Sequence, residues 1–560
     1  MYFSYAFDLT NSFQRQAQND PKEPLWQRAD DRFFWNRFIS SSLIDFRLGK
    51  VQGRSVSTGP QTGVDPFILP VVFGMLSITD TSVKGHAMTF VLITRRSRYR
   101  GGTRYLTRGI DEQGHVSNFN ETEQAVILND SSSAGLTSYA GDQGFSNGKL
   151  VSGRETQVLS YVQTRGSVPV FWAEINTLQY VPRLQIRGVE TAAAAAKKHF
   201  DEQISFYGDN WLVNLVNQKG RENRVKESYE QIVKILQTSP SESPESDSRS
   251  PEKFNVIDSA DKRSWYDHLH YIYFDFHNET KGLKWHRAQL LLDQLKDGLL
   301  AGGYFHGIDS PSGTIDIRRK QTAVVRTNCM DCLDRTNVVQ SMLGRWTLTR
   351  VLLDLHLLRQ GESASDDAAF EHLFRNVWAD NADVVSKSYS GTGALKTDFT
   401  RTGERTKKGM FADLNNSVTR YVRNNFSDGP RQDGFDLFLG AYQPDASAGS
   451  SVRQFLDRRP LAIQAVPYML GMCMFFVAVS LGTVRMPSTS SSSAGEIGGA
   501  GGGGGGVTVW PLRVFTLCCL GVAGYSGRFM WNFGTLYVRL FQHFVLFPGF
   551  LHASRCARTN

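Results

Sequence analysis

Two kinds of apolar pattern alternate along this chain, and they predict different structures. Short runs of β-branched and aromatic residues, bounded by Gly and Pro, predict strands at Phe67 to Phe73 and Ala87 to Thr94. Val168 to Ile175, Trp211 to Val216 and Tyr271 to Phe276 repeat the pattern further on, as core strands of a second, mixed α/β region. The Ala-rich stretch from Thr191 to Lys198 favours a helix. Ala323 to Arg326 reads as a strand, and Val339, Met342, Leu343 and Trp346 then recur at helical spacing. The serine, proline and acidic residues of 238–252 predict a solvated insertion.

Near the C-terminus the pattern changes from periodic to continuous. Residues 461–484 hold no charge, a length sufficient for a bilayer core of ~30 Å. A second apolar span, 507–527, carries Arg513 near one end, where its stem can snorkel. Between them, 485–506 is Ser- and Gly-rich and reads as a loop. Arg453, Arg458 and Arg459 precede the first span and Arg528, Arg539, Arg555 and Arg558 follow the second, so the positive-inside rule places both flanks in the cytosol. The predicted architecture is a β-rich N-terminal part (1–115), an α/β catalytic domain (116–445), a linker (446–460), a two-helix transmembrane hairpin and a cytosolic tail (528–560) in which Arg539 and His543 favour an interfacial segment over a third span. The chain's start lacks the basic and apolar regions of a signal peptide, so targeting is expected to come from the hairpin.

With 560 residues, more than one domain is expected, and the net charge of +8 favours anionic partners. No nucleic-acid module or basic run is visible, so an anionic membrane is the better candidate than nucleic acid. The six cysteines form no disulfide framework: two share one short segment, Cys473, Cys518 and Cys519 lie in the apolar spans, and Cys556 lies in the tail.

That short segment carries the chemistry. Cys329 and Arg335 stand six positions apart between the predicted strand and helix, which is the layout of a loop that cradles phosphate around a nucleophile. A guanidinium fork grips phosphate oxygens bidentately, and backbone N–H groups at a helix start bind the anion and acidify the thiol. Asn328, Met330, Cys332 and Leu333 would complete the cradle. Thr336 would donate its hydroxyl to the Cys329 sulfur or cap the helix, and Asp331 or Asp334 would protonate the leaving oxygen or shape the loop. Cys332 would be structural, or form a protective disulfide with Cys329 on oxidation. A zinc reading of Cys329 and Cys332 lacks further ligands, and no cofactor or metal is expected. Asp275 and His277 read as a hydrogen-bonded pair rather than as ligands. Outside the loop, Arg165 and Lys219 at strand ends, and Lys396 and Arg401 in a basic stretch with Arg405, Lys407 and Lys408, are candidate headgroup contacts.

The string Arg326 to Gln340 resembles the signature of the Sac-domain phosphoinositide phosphatases, in particular the membrane-anchored branch acting on phosphatidylinositol 4-phosphate. Phe3 to Thr10, Arg95 to Arg98, Gly102 to Tyr105, Asn118 to Glu123, Gln163 to Trp172, Val213 to Gly220 and Lys396 to Gly403 resemble it as well. The resemblance implies hydrolysis of a phosphoinositide in the membrane, through a cysteinyl-phosphate, at the endoplasmic reticulum and Golgi. It also places residue 1 inside the family's β-rich domain, so that part is expected to be incomplete or to cover an exposed sheet edge. Two other readings stand beside it. One is a protein tyrosine or dual-specificity phosphatase, disfavoured because the loop lacks that class's His and Gly residues; the other is a silent phosphoinositide-binding tether. The sequence names no protein partner.

Overall fold

The computed structural model describes residues 1–20, 22–51, 54–55, 59–129, 145–146, 149–150, 156–175, 182–238, 265–281, 285–309, 315–403, 406–443, 461–485 and 509–532. The expected insertion (from 239), linker, loop (from 486) and most of the tail lie outside them, as does Arg405. The chain divides into two compact units, Met1–Glu174 with Leu184–Gln443 and Ile175–Arg183 with Pro444–Asn560.

The first unit is built on a nine-stranded mixed sheet. In chain order its strands are β1 (Gly74–Val83), β2 (His86–Arg96), β3 (Asn120–Asn129), β4 (Thr156–Arg165), β5 (Asp209–Asn214), β6 (Leu269–Tyr273), β7 (Phe305–Asp309), β8 (Ile315–Arg319) and β9 (Ala323–Asn328). They lie in the order β6-β5-β9-β4-β3-β2-β1, with β7 pairing β4 and β8. β1 to β4 form an antiparallel meander, while β6, β5, β9 and the end of β4 run parallel. Strands β1 and β2 fall within 1–115, so the sheet is continuous across the two regions distinguished in the sequence.

The parallel half is covered on both faces, which is why β9 is buried at every position. Helices α1 (Val189–Tyr207) and α2 (Asn223–Thr238) bury Phe200, Ile204, Tyr229 and Ile232 with Leu212 of β5. The next residue, Val213, faces the other way, to Leu291 and Leu295 of α3 (Gln289–Gly302) and Val339 and Leu343 of α4 (Asp334–Asp354). The antiparallel half packs Phe90, Leu92, Val126 and Leu159 against the end of α4 and against α5 (Ala368–Ser390) through Leu352, Phe370, Phe374 and Trp378. Three more helices follow: α6 (Thr397–Thr402), α7 (Lys407–Val422) and α8 (Asp428–Leu439).

The N-terminal segment is held by buried charge. Arg95 pairs with Glu121 at 3.1 Å and Glu123 at 2.8 Å, and all three are almost completely buried. Arg95 also donates to Leu9 O at 2.7 Å, while Glu123 accepts from Phe13 N at 2.9 Å and Glu121 from Arg15 at 3.0 Å. Isolated buried charges are costly, so these pairs lock residues 9–15 onto the sheet.

The strands expected at Ala87, Trp211 and Ala323 and the helix expected at Thr191 are present, while of the strand expected over Tyr271 to Phe276 only Tyr271 to Tyr273 forms and Phe276 begins a short helix. The strand expected over Phe67 to Phe73 is not: Thr62–Phe67 forms a 3-10 helix, and only Val72 pairs, with Tyr2. Pro66 and Pro70 lack the N–H a ladder needs. Of the strand expected over Val168 to Ile175, only Trp172–Ile175 forms.

In the second unit the two C-terminal spans are helices, α9 (Leu461–Arg485) and α10 (Val509–Asn532). They pack together: Thr516 donates to Ser480 Oγ at 3.1 Å, and the Phe476 and Phe515 rings meet at 5.6 Å. Among the described residues, however, no helix is long and apolar enough to cross a membrane, so the transmembrane character expected of the hairpin is not supported. α10 includes Arg513 and Arg528 in its length, and such charges are costly in hydrocarbon.

Candidate active site

β9 delivers the loop and α4 receives it. Thr327 and Asn328 are fully buried, and Leu215 N donates to Asn328 O at 2.8 Å, which carries the pairing of β5 and β9 past the end of the strand. Asn328 Nδ2 donates to Asn214 Oδ1 at 2.8 Å, locking the two carboxyl ends together. The chain then turns through Cys329 to Leu333 and enters α4 at Asp334. Cys329 joins the core beside Val325, Val339 and Leu343, whereas Met330 packs on the opposite core beside Leu212 and Tyr229. Cys332 takes φ +51°, a left-handed conformation unusual outside glycine, and Leu333 is buried against Val385 and Tyr389.

Cys329 is built as an anion. Its pKa falls from an ordinary thiol value to about 6, through a hydrogen bond from Cys332, the charge of Arg335 and a hydrogen bond from Thr336, against the opposing effect of burial. The Thr336 hydroxyl stands 3.5 Å from the sulfur and is itself fully buried. Cys332 moves the other way: burial and the neighbouring Cys329 push its thiol up, so it keeps its proton. Its sulfur reaches Gly166 O at 3.0 Å and Cys329 O at 3.3 Å. Both cysteines are free thiols.

Arg335 does not turn its whole fork to the sulfur. Nη1 donates to Leu215 O at 2.9 Å and Glu222 Oε2 at 3.0 Å, and Nη2 to Glu222 Oε1 at 3.2 Å. Glu222 comes from the 3-10 turn Gly220–Glu222 that follows β5. Residues at the carboxyl ends of two adjacent parallel strands thus meet here, where open α/β sheets bind ligands.

The two loop aspartates are placed differently. Asp331 is clamped by Arg104 at 2.9 Å and Arg108 at 2.7 Å. Burial opposes its charge, but the two guanidiniums hold the carboxyl well below the usual range. Arg108 also donates to Met330 O at 3.2 Å and pairs with buried Glu174, and Asn118 donates to Asp331 O at 3.1 Å. Asp334 accepts from Leu395 N at 2.8 Å and faces Arg420 of α7 at 3.6 Å. There burial prevails and the carboxyl is raised, although 29% of the side chain stays open.

Of the basic candidates, Lys219 is exposed just before the Glu222 turn, and Lys396 is exposed beside Leu395, with φ +62°. Arg165 and Arg401 are committed to protein partners. Arg165 is fully buried, donating to Asn337 and Gln340 of α4, and burial lowers its pKa to about 10. Arg401 pairs with Asp380 at 2.7 Å and Asp383 at 3.4 Å on α5. Asp275 caps the short helix Phe276–Glu279, accepting from Asn278 N at 3.1 Å. Among the described residues no cluster of His, Cys, Asp or Glu is placed to hold a metal.

Sequence reasoning missed Arg104, Arg108, Asn118, Glu174, Glu222 and Arg420. Arg104, Asn118 and the segment preceding Glu222 lie in or beside the stretches that carry the family resemblance, but nothing in their local spacing points to the loop.

Residues 1–281 match the SacI homology domain. An uncharacterized protein of Schizosaccharomyces pombe is 44% identical over 497 residues, 87% of this chain and 71% of that protein. Phosphatidylinositol-3-phosphatase SAC1 of Saccharomyces cerevisiae is 44% identical over 471 residues, covering 84% and 65%, and its Drosophila melanogaster namesake 41% over 465, covering 82% and 66%. The chain therefore spans about two thirds of the length of these relatives. An acidified cysteine in the turn between a parallel strand and a helix, with an arginine in the first turn of that helix, agrees with that likeness, and the chain belongs to the Sac-domain family of phosphoinositide phosphatases.

Proposed function

We propose that this chain removes phosphate from phosphatidylinositol monophosphates, chiefly the 4-phosphate, through a cysteinyl-phosphate on Cys329. The observation that carries the reading is the acidified Cys329 thiol with Thr336 at its sulfur and Arg335 beside it. Near neutral pH the sulfur is mostly thiolate. It attacks phosphorus, the S–P bond forms and the bond to the inositol oxygen breaks.

Asp334, raised by burial, gives its proton to that oxygen. Asp331 is held ionised and shapes the loop instead. Arg335 grips the phosphoryl oxygens, which compete for it with Glu222. Water then attacks phosphorus and gives a proton to Asp334, and the S–P bond breaks. The Thr336 hydroxyl stabilises the departing thiolate. Backbone groups of Asn328, Met330, Cys332 and Leu333 frame the anion, and Lys219, exposed just before the Glu222 turn, is the candidate to meet the headgroup.

Preference for the 4-phosphate is supported by the resemblance of the loop and its flanks, while the named relatives are 3-phosphatases. We place the protein at endoplasmic reticulum and Golgi membranes, with the catalytic unit cytosolic. The uncharged run of 461–484 is the sequence feature behind this membrane attachment, while among the described residues no helix is long and apolar enough to cross a bilayer. Retention of the full chain in alkali-washed membranes tests it; release into the wash would remove the anchor.

The activity is tested by phosphate release from dioctanoyl phosphatidylinositol 3- and 4-phosphate by wild type and Cys329→Ser. Turnover by wild type alone, fastest on the 4-phosphate, is the expected result. Equal rates in both proteins would sink the nucleophile assignment, and faster cleavage of a phosphotyrosine peptide would sink the lipid substrate.

A further inference from the structure

Helix α7 is inside out. Two of its charged residues face the protein: Asp413 accepts from Lys396 N at 2.9 Å, and Arg420 donates to Thr392 at 3.0 Å, Ser386 at 3.1 Å and Gly393 O at 3.0 Å while facing Asp334. Its apolar residues face outward. Met410, Phe411, Leu414, Val418 and Val422 lie on one face at helical spacing, each between 42% and 74% exposed, with Phe411 the most open. A soluble helix normally does the reverse, and an apolar stripe of this kind marks a surface that meets something.

The charge on that stripe selects the partner. Lys407 and Lys408 are exposed at its start, and no acidic residue is among the exposed residues of α7. Apolar side chains flanked by lysines are the composition of a helix that lies in a membrane interface, with its rings among the acyl chains and its ammoniums on anionic headgroups. Position agrees: the opposite face of this helix meets the Asp334 carboxyl through Arg420, so seating α7 on a bilayer holds the loop roughly one helix diameter, about 10–12 Å, from the lipid surface.

We infer that α7 docks the catalytic unit on an anionic lipid surface through Phe411, Leu414 and Val418 with Lys407 and Lys408. This rests on the lipid-phosphatase reading and adds the surface by which the site reaches a membrane-held substrate.

The test uses the full chain in nanodiscs of phosphatidylcholine and phosphatidylserine carrying a photoactivatable phosphatidylserine. Lipid cross-links are expected in residues 407–422. Phe411→Asp with Leu414→Asp is expected to remove them and to lower turnover of a bilayer-embedded phosphatidylinositol monophosphate roughly 10-fold or more, leaving turnover of the dioctanoyl substrate within about two-fold. Absence of lipid cross-links in the wild type overturns the inference, as does equal loss on both substrates. Cross-links from this helix to another protein chain instead of lipid also overturn it. A wild type that cross-links lipid but turns over neither substrate would sink the phosphatase reading and leave the docking surface standing.

Discussion

Asp331 and Asp334 are the same residue type in one loop, and the fold gives them opposite charges of duty. Asp331, at the bend, is met by Arg104 and Arg108 and stays ionised. Asp334, at the first position of α4, is met by one backbone N–H and a more distant guanidinium, and burial raises it. A carboxylate that must give a proton cannot be fully paired, and a carboxylate that must hold a loop cannot be left unpaired. On the proposed mechanism, the difference between shaping the loop and giving a proton is the number of cations within about 4 Å.

The largest test of that contrast is Asp334→Asn. Turnover should fall roughly 10²- to 10⁴-fold, the usual worth of a general acid. The pH profile gives the sign: thiolate accumulates as pH rises through about 6 at Cys329, while protonated Asp334 is lost as pH rises. Wild type should therefore show a bell, and Asp334→Asn should keep only the acid limb. Loss of the acid limb instead would break the assignment.

Arg108→Ala comes next. It removes a buried partner from Asp331, which keeps Arg104, and from Glu174, which keeps Arg221, and should cost about 1.5–3 kcal/mol of stability in denaturant unfolding. In whatever protein folds, both pH limbs should stay in place, because Asp331 does not carry the proton.

Glu222→Gln probes Arg335. Removing the competing carboxylate should tighten inhibition by inorganic phosphate about 3- to 10-fold, read as a lower inhibition constant. Unchanged inhibition would show that Arg335 does not meet the phosphoryl oxygens. The smallest effect belongs to Thr336→Val, which removes one hydrogen bond to the sulfur and should move the acid limb upward by less than about one unit.

The loop was legible because its information is local. Cys329, Arg335 and Thr336 meet through the geometry of one strand, one turn and one helix, and their spacing shows it. Arg165 shows the limit of such reasoning. At a strand end it resembles a ligand contact, yet α4 packs over it and occupies its guanidinium with Asn337 and Gln340. Arg401 is likewise spent on α5. α7 was readable only as a basic stretch, because the direction of its apolar face depends on what its polar face bonds.

Sequence alone determined the family's loop, the strand and helix around it, and the α/β character of the large unit. Each follows from residue spacing along a continuous stretch of chain. Tertiary structure alone decided the ionisation of Asp331 and Asp334, the pairing of Arg335 with Glu222 and the outward face of α7. These depend on groups brought close from distant parts of the chain, and electrostatic energy depends on distance in space and on burial rather than on order along the chain.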